Sequence, residues 1–251
     1  MIKESLQGKT FLITGATGFL GQPLVEKILW SVPDVRRIYV LIRPKRHFGG
    51  GHISAQERLE KELYRSSVFD RLQMRHQGDF EDFLREKLQA VPGDITRDNL
   101  GLDEDLSERL RREVDIVINS AAVVSFDAPL DQSLELNVFG ARRVAVFAAS
   151  CRSALLVHVS TAYSCGAATG TVLETVRREV PGTEKDDKFP LRAFSDPQAD
   201  IREIQRLIDR ICQEAEAPEL RRRFAQAFLK RKSKGRRRIR RASEIANLRR
   251  K

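Results

Sequence analysis

Three glycines at three-residue spacing constrain this chain more than any other feature. Gly15, Gly18 and Gly21 follow the apolar run Thr10–Thr14 and open a segment with apolar residues at helical spacing, Phe19–Trp30. This order predicts a buried strand, a sharp turn and a helix. In such a turn the first glycine bends the chain, the second lets the backbone approach a pyrophosphate, and the third lets the helix pack against the strand. We therefore expect a bound dinucleotide here, against the alternative of a tight turn that holds no ligand.

Strands and helices continue to alternate beyond this turn. The apolar runs predict five strands in all, at Thr10–Thr14, Arg37–Ile42, Leu88–Pro92, Asp115–Asn119 and Ala154–Ser160. Periodic segments predict helices at Ser54–Leu72, Phe80–Lys87, Asp103–Arg112 and Leu130–Ser150. Alternation of this kind predicts an α/β fold, a Rossmann-type doubly wound parallel sheet with helices on both faces. The last strand would expose its edge unless C-terminal helices cover it, and we interpret its His158 as a packed core residue.

The composition changes after Gly170. We predict a Rossmann domain over 1–170, a loop over 171–197 and a helical, strongly basic appendage over 198–251, with an amphipathic helix at Asp200–Ala217. Residues 219–251 carry 15 Lys and Arg against 2 Asp and Glu, whereas residues 1–218 carry 30 against 33. The net charge of +10 is therefore a property of the tail. The tail suggests contact with an anionic surface such as a membrane, and the alternative is a solvated helix paired with acidic groups.

The ends of the predicted strands indicate which dinucleotide binds. No carboxylate stands at the tip of the second strand, where one would bind the ribose 2′-hydroxyl of NAD. Arg43 and Arg46 stand there and would pair with the 2′-phosphate of NADP(H), against the alternative of a basic surface cluster. Asp94 follows the third strand and would accept from the adenine amino group, or else is only a turn aspartate. The predicted cofactor contacts are Thr14, Gly15, Thr17, Gly18, Phe19, Leu20, Gly21, Arg43, Arg46, Asp94, Ile95, Asn119, Ala121 and Ala122.

Several motifs together resemble the extended short-chain dehydrogenase/reductases, and among these the fatty acyl-CoA reductase and thioester reductase branch. The motifs are T-G-A-T-G-F-L-G, L-I-R-P-K, G-D-I-T, N-S-A-A-V-V-S-F, L-N-V-F-G and H-V-S-T-A-Y. The resemblance implies NADPH-dependent reduction of an acyl-CoA or acyl-carrier thioester to an aldehyde or alcohol. It also implies that Thr161, beside Ser160, hydrogen-bonds the substrate carbonyl and that Asn137 supports the site. Hydroxyl donors at that oxygen would stabilise the oxyanion that hydride attack produces.

The chain departs from the family at the catalytic acid. The resemblance implies a tyrosine with a lysine four residues later, whereas Tyr39, Tyr64 and Tyr163 are followed at that spacing by Arg, Val and Ala. We therefore expect a chain that is truncated or altered near its C-terminus and weakly active or inactive. The alternatives are a non-catalytic NADP-binding protein and a module that binds anionic surfaces through its tail.

Other classes of function find little support in the composition. The three cysteines lie far apart without a C-x-x-C spacing, which argues against a zinc site and favours a reducing, cytoplasmic compartment. Few aromatic residues interleave with the basic tail, so we do not expect nucleic-acid binding. No apolar run has the length of a membrane span, which leaves peripheral contact of the tail as the expected membrane interaction.

Overall fold

A computed structural model describes residues 2–46, 51–125, 127–161, 197–223 and 226. The chain divides into two compact units, Met1–Gly166 and Ala167–Lys251. The first unit contains the strands β1 Thr10–Thr14, β2 Arg37–Ile42, β3 Lys45–Arg46, β4 His52–Ile53, β5 Leu88–Pro92, β6 Ile116–Asn119 and β7 Leu155–His158. Its helices are α1 Ile2–Leu6, α2 Gly21–Ser31, α3 Ala55–Leu59, α4 Asp70–Arg75, α5 Phe80–Lys87, α6 Glu104–Glu113, α7 Leu130–Ser133 and α8 Ala141–Ser150. In the second unit the structure describes α9 Pro197–Glu216. The predicted domain boundary at residue 170 stays a prediction.

Five parallel strands form the central sheet in the order β5-β2-β1-β6-β7. From β1 the chain builds outward in one direction through β2 and β5, and then returns to build in the other direction through β6 and β7. The order therefore reverses beside β1, and ligands of such sheets bind in the crevice outside the carboxyl ends of the strands at that point. This arrangement confirms the predicted α/β fold with a doubly wound parallel sheet.

Two hydrophobic clusters, one on each face of the sheet, hold the strands in place. Alternate residues of β1 face opposite sides, so Phe11 and Ile13 join the first cluster and Leu12 joins the second. The first cluster packs α2 and the helical crossover between β2 and β5 against the sheet, whereas the second packs α6 and α8. Burial on both faces explains why β1 and β2 read as continuous apolar runs.

The crossover between β2 and β5 contains more breaks than the sequence predicts. Ser54 caps α3 through a capping box with Glu57, in which each side chain pairs with the other residue's backbone N–H. The helix continues as a π-helical turn, Glu60–Tyr64, and a short 3-10 turn precedes α4. Arg71 of α4 then binds both carboxylate oxygens of the buried Glu26 on α2. This ion pair joins the crossover to the helix that follows the glycine turn.

β7 lies at the edge of the sheet, and its side chains are exposed. Leu155 is 62% exposed and Val157 is 43% exposed, in contrast to the fully buried Leu12 and Val117 of neighbouring strands. The sequence-based interpretation of His158 as a packed core residue is wrong, because every residue of β7 is exposed. An apolar strand sequence indicates burial only when other elements pack on its faces, and the exposure of Leu155 and Val157 shows that the faces of β7 are open. In the described residues β7 pairs on one side, with β6.

Candidate functional site: the carboxyl ends of the strands

The three glycines of the turn meet three different steric demands. Gly15 has a φ of 72°, and a Cβ there would lie 2.7 Å from backbone atoms of Ser120 and Ala121. A Cβ on Gly21 would overlap the carbonyl oxygen of Gly15. The start of α2 can therefore pack against the turn only because Gly21 has no side chain. A Cβ on Gly18 would meet only the Gly15 oxygen, at 3.2 Å, and otherwise points into open space. The middle glycine therefore leaves its backbone accessible from outside, as the approach of a pyrophosphate requires.

The start of α2 carries backbone donors that have no partner in the described part of the chain. The N–H groups of Phe19, Leu20 and Gly21 make no hydrogen bond within the part of the chain that the structure describes. The Gln22 side chain donates to the carbonyl oxygen of Thr17 at 3.1 Å and so links the helix to the turn. N–H groups without a described partner at the positive end of an 11-residue helix are favourable for an anionic group. Their arrangement fits the pyrophosphate that the glycine spacing predicts.

Arg43 and Asp94 lie together at the ends of β2 and β5. The Arg43 side chain is 59% exposed, and one of its guanidinium nitrogens lies 3.8 Å from Asp94 Oδ2. The other Asp94 oxygen accepts hydrogen bonds from the N–H and the hydroxyl of Thr96, as a turn aspartate does. The Ile95 side chain is buried in the second cluster and is therefore not open to a ligand. Arg46 lies in β3, beyond the tip of β2.

A row of hydrogen bonds crosses the ends of β1, β6 and β7. The Thr14 hydroxyl donates to Asn119 Oδ1 at 2.6 Å, and the Asn119 amide nitrogen lies 3.1 Å from His158 Nδ1. Thr14 also accepts from the N–H of Ala121 at 3.3 Å, while Ser120 donates to the Thr14 carbonyl oxygen at 3.1 Å. Thr14 and Asn119 are buried, so as site residues they hold the strand ends together from within.

Asn137 anchors the loop that follows β6. It lies in a π-helical segment, Leu134–Gly140, and its side chain accepts from the N–H of Val123 at 2.8 Å and donates to the Val123 carbonyl oxygen at 3.0 Å. Ala122 is exposed on the same loop. The exposed Ser160 and Thr161 follow β7 at the same edge of the sheet. Tyr163 and Cys165 lie outside the described residues.

Other sites are not evident in the described part of the chain. A groove of about 990 Å³ lies on the helical crossover, with Tyr64, His76 and Arg85 in its wall, away from the glycine turn and the strand ends. Among the residues described, no three His, Cys, Asp or Glu side chains come together as a metal site requires. None of the helices that the structure describes combines the length and apolar character needed to cross a membrane.

Comparison with known proteins decides the family. Residues 13–244 match the family model described as male sterility protein, an NAD-binding domain. The chain belongs to this family. The match confirms the resemblance found in the motifs, and it indicates a nicotinamide dinucleotide as the ligand class of the chain.

Members of the male sterility family that resemble this chain are longer proteins. Over 174 residues the chain is 45% identical to fatty acyl-CoA reductase 1 of Arabidopsis thaliana, covering 68% of this chain and 34% of that protein. The alcohol-forming fatty acyl-CoA reductase of Simmondsia chinensis is 41% identical over 175 residues, covering 69% of this chain and 34% of that protein. The chain thus spans about a third of the length of these relatives.

The chain also resembles solved structures of reductase domains. The terminal R domain from the myxalamid PKS-NRPS biosynthetic pathway is 32% identical, with a TM-score of 0.49, and the match covers 62% of this chain and 35% of that one. An R domain of a nonribosomal peptide synthetase from Mycobacterium tuberculosis is 30% identical with a TM-score of 0.48, over 64% of this chain and 35% of that one.

Proposed function

We propose that this chain binds NADP(H) across the carboxyl ends of its strands and contributes to NADPH-dependent reduction of a fatty acyl thioester to an aldehyde or alcohol. The observation that carries the proposal is the glycine turn, where the N–H groups of Phe19, Leu20 and Gly21 have no partner among the described residues and a Cβ on Gly18 would meet open space. The names of the relatives support the thioester substrate. The preference for NADP(H) over NAD(H) rests on Arg43 at the tip of β2, where no carboxylate stands.

Titration of the purified chain with NADPH and NADH tests the cofactor half of the proposal. Binding followed by cofactor fluorescence should saturate and favour NADPH. In Arg43→Ala the dissociation constant for NADPH should rise about tenfold to a hundredfold, because a charge-assisted contact to phosphate is lost. The dissociation constant for NADH should stay unchanged, since NADH carries no 2′-phosphate.

Arg36→Ala is the matched control. It removes the same charge at the other end of β2, where Arg36 is exposed and precedes the strand. The two positions are about 23 Å apart along an extended strand, more than twice the screening length at physiological salt. Equal weakening by both substitutions would show that only net charge matters and would overturn the assignment of Arg43.

The catalytic half of the proposal requires hydroxyl donors at the acyl carbonyl, which we assign to Thr161 with Ser160 beside it, on a site supported by Asn137. No tyrosine of the chain has a lysine four residues later, so we expect NADPH oxidation with a long-chain acyl-CoA to be weak or absent in this chain alone. Thr161→Val should abolish any turnover that remains while leaving NADPH binding in place. Turnover that survives this substitution would exclude Thr161 as the donor.

A further inference from the structure

The hydrogen bonds at the strand ends fix the position of the proton on His158. Parallel register places Thr14 beside Asn119 and Asn119 beside His158, so their side chains share one face of the sheet. Thr14 and Asn119 are 0% and 1% exposed, which leaves water little access to their polar atoms. Each of these groups must therefore find its partners within the row, because an unpaired buried polar group is costly.

The direction of each hydrogen bond follows from the one before it. The N–H of Ala121 can only donate, so Thr14 Oγ1 accepts from it and gives its own proton to Asn119. The Asn119 oxygen therefore faces Thr14, and its NH₂ group faces His158 Nδ1. The reverse orientation of the amide would aim two donors at Thr14 and leave the buried hydroxyl proton without an acceptor. Nδ1 of His158 is thus the acceptor of the Asn119 amide, which leaves Nε2 as the ring nitrogen that carries the proton.

His158 lies on the side of the sheet that the second half of a dinucleotide would reach. The glycine turn for the pyrophosphate follows β1, and Arg43 and Asp94 for the adenine half follow β2 and β5 on one side. A dinucleotide that crosses the strand ends therefore extends over β6 and β7 on the other side. The His158 side chain is exposed there, and its Nε2 makes no hydrogen bond to the described part of the chain.

We propose that His158 binds the nicotinamide half of the cofactor, donating a hydrogen bond from Nε2–H to an oxygen of that half. The inference rests on the proposed function for the presence of a dinucleotide, and on the row from Thr14 to His158 for the donor. Asn119 keeps Nδ1 occupied and aims the opposite nitrogen outward. The short sequence of β7 thereby supplies a binding residue three positions before Thr161.

The tautomer is tested without any ligand. In a ¹⁵N-histidine-labelled chain, long-range ¹H–¹⁵N spectra distinguish a protonated ring nitrogen from one that carries a lone pair. The signals of His158 are those absent from the His158→Asn spectrum, which separates them from the other three histidines. We expect a bare Nδ1 and a protonated Nε2. A proton on Nδ1 would overturn the proposal whatever the chain binds.

Two substitutions then separate the contact of Nδ1 with Asn119 from the outer donor, which is Nε2–H. In His158→Asn the side-chain oxygen takes the place of Nδ1 and still accepts from Asn119, but the outer donor is lost. In His158→Gln the amide NH₂ reaches the place of Nε2 and keeps that donor. Relative to the unmodified chain, we expect the dissociation constant for NADPH to rise about fivefold to tenfold in His158→Asn, and much less in His158→Gln.

The adenine fragment 2′,5′-ADP provides the control for position. It lacks the nicotinamide half, so both variants should bind it as the unmodified chain does. Equal weakening of NADPH and 2′,5′-ADP, or no weakening of either, would overturn the assignment of His158 to the nicotinamide half. The assignment is also overturned if the unmodified chain binds NADPH no more tightly than 2′,5′-ADP. Failure of the unmodified chain to bind either ligand would refute the proposed function, and with it the cofactor contact, while the spectrum still decides the tautomer.

Discussion

Gly15→Ala should destabilise the chain through two separable effects. With a φ of 72°, the position disfavours any residue that has a Cβ, at a cost of about 1–2 kcal/mol. The added Cβ would also lie 2.7 Å from backbone atoms of Ser120 and Ala121, neither of which can yield as the end of a flexible side chain would. Displacing the loop after β6 adds about 1–3 kcal/mol, as inserting a methylene into a packed interior does. The expected loss of about 2–5 kcal/mol is a large share of the roughly 5–15 kcal/mol typical of a domain.

Gly8→Ala isolates the first of these effects. Its φ is 66°, close to that of Gly15, but a Cβ there meets nothing within 4 Å, so only the conformational cost of about 1–2 kcal/mol should appear. Urea unfolding of both variants, followed by the fluorescence of the single tryptophan, Trp30 on α2, gives the two free energies. An equal loss in the two variants would refute the reasoning, because the contact between the turn and the loop after β6 would then cost nothing.

Three further predictions follow from individual contacts. Arg71→Ala leaves the buried carboxylate of Glu26 unpaired, so urea unfolding should show that the free energy of unfolding falls by about 1–3 kcal/mol. Adding Glu26→Gln should reduce this loss, because the neutral amide does not need a cation. No loss in Arg71→Ala would mean that the pair is solvated. Burial raises the pKa of Tyr39 and of Tyr64 to about 12, above the unfolded value of 10.0. Their contribution to stability is therefore complete below pH 10 and is lost as the pH rises through 12, and phenolate absorbance that grows for both near pH 10 would contradict this. Asn137→Ala should speed amide exchange in the loop after β6 by about tenfold, whereas unchanged exchange would show that the anchor is unnecessary.

The sequence determined the elements whose cause is local. Short apolar runs predicted β1, β2 and β5 with the bounds that the structure has. β1 and β2 show no alternation because they are buried on both faces. The glycine turn was also predictable, since its first and third glycines stand where a side chain has no room: Gly15 has a positive φ, and a Cβ on Gly15 or Gly21 would overlap backbone atoms. The hairpin of β3 and β4 and the π-helical turns escaped prediction, because segments of two to seven residues carry no period that separates them from loop or α-helix.

Only the tertiary structure decided which strand ends meet and which of their groups are free. Asn119 and His158 are 39 residues apart, and Thr14 and Asn119 are 105 apart, so no spacing in the sequence relates them. Parallel register brings all three side by side, and the buried Thr14 then dictates the direction of every hydrogen bond out to His158. The exposure of His158 likewise depends on how little packs over β7, which the apolar sequence of the strand does not reveal. Steric demands within a turn depend on neighbouring residues and can be recognised in the sequence. The directions of the hydrogen bonds in this row depend on strands that are distant in the sequence, so they are set only when those strands pair.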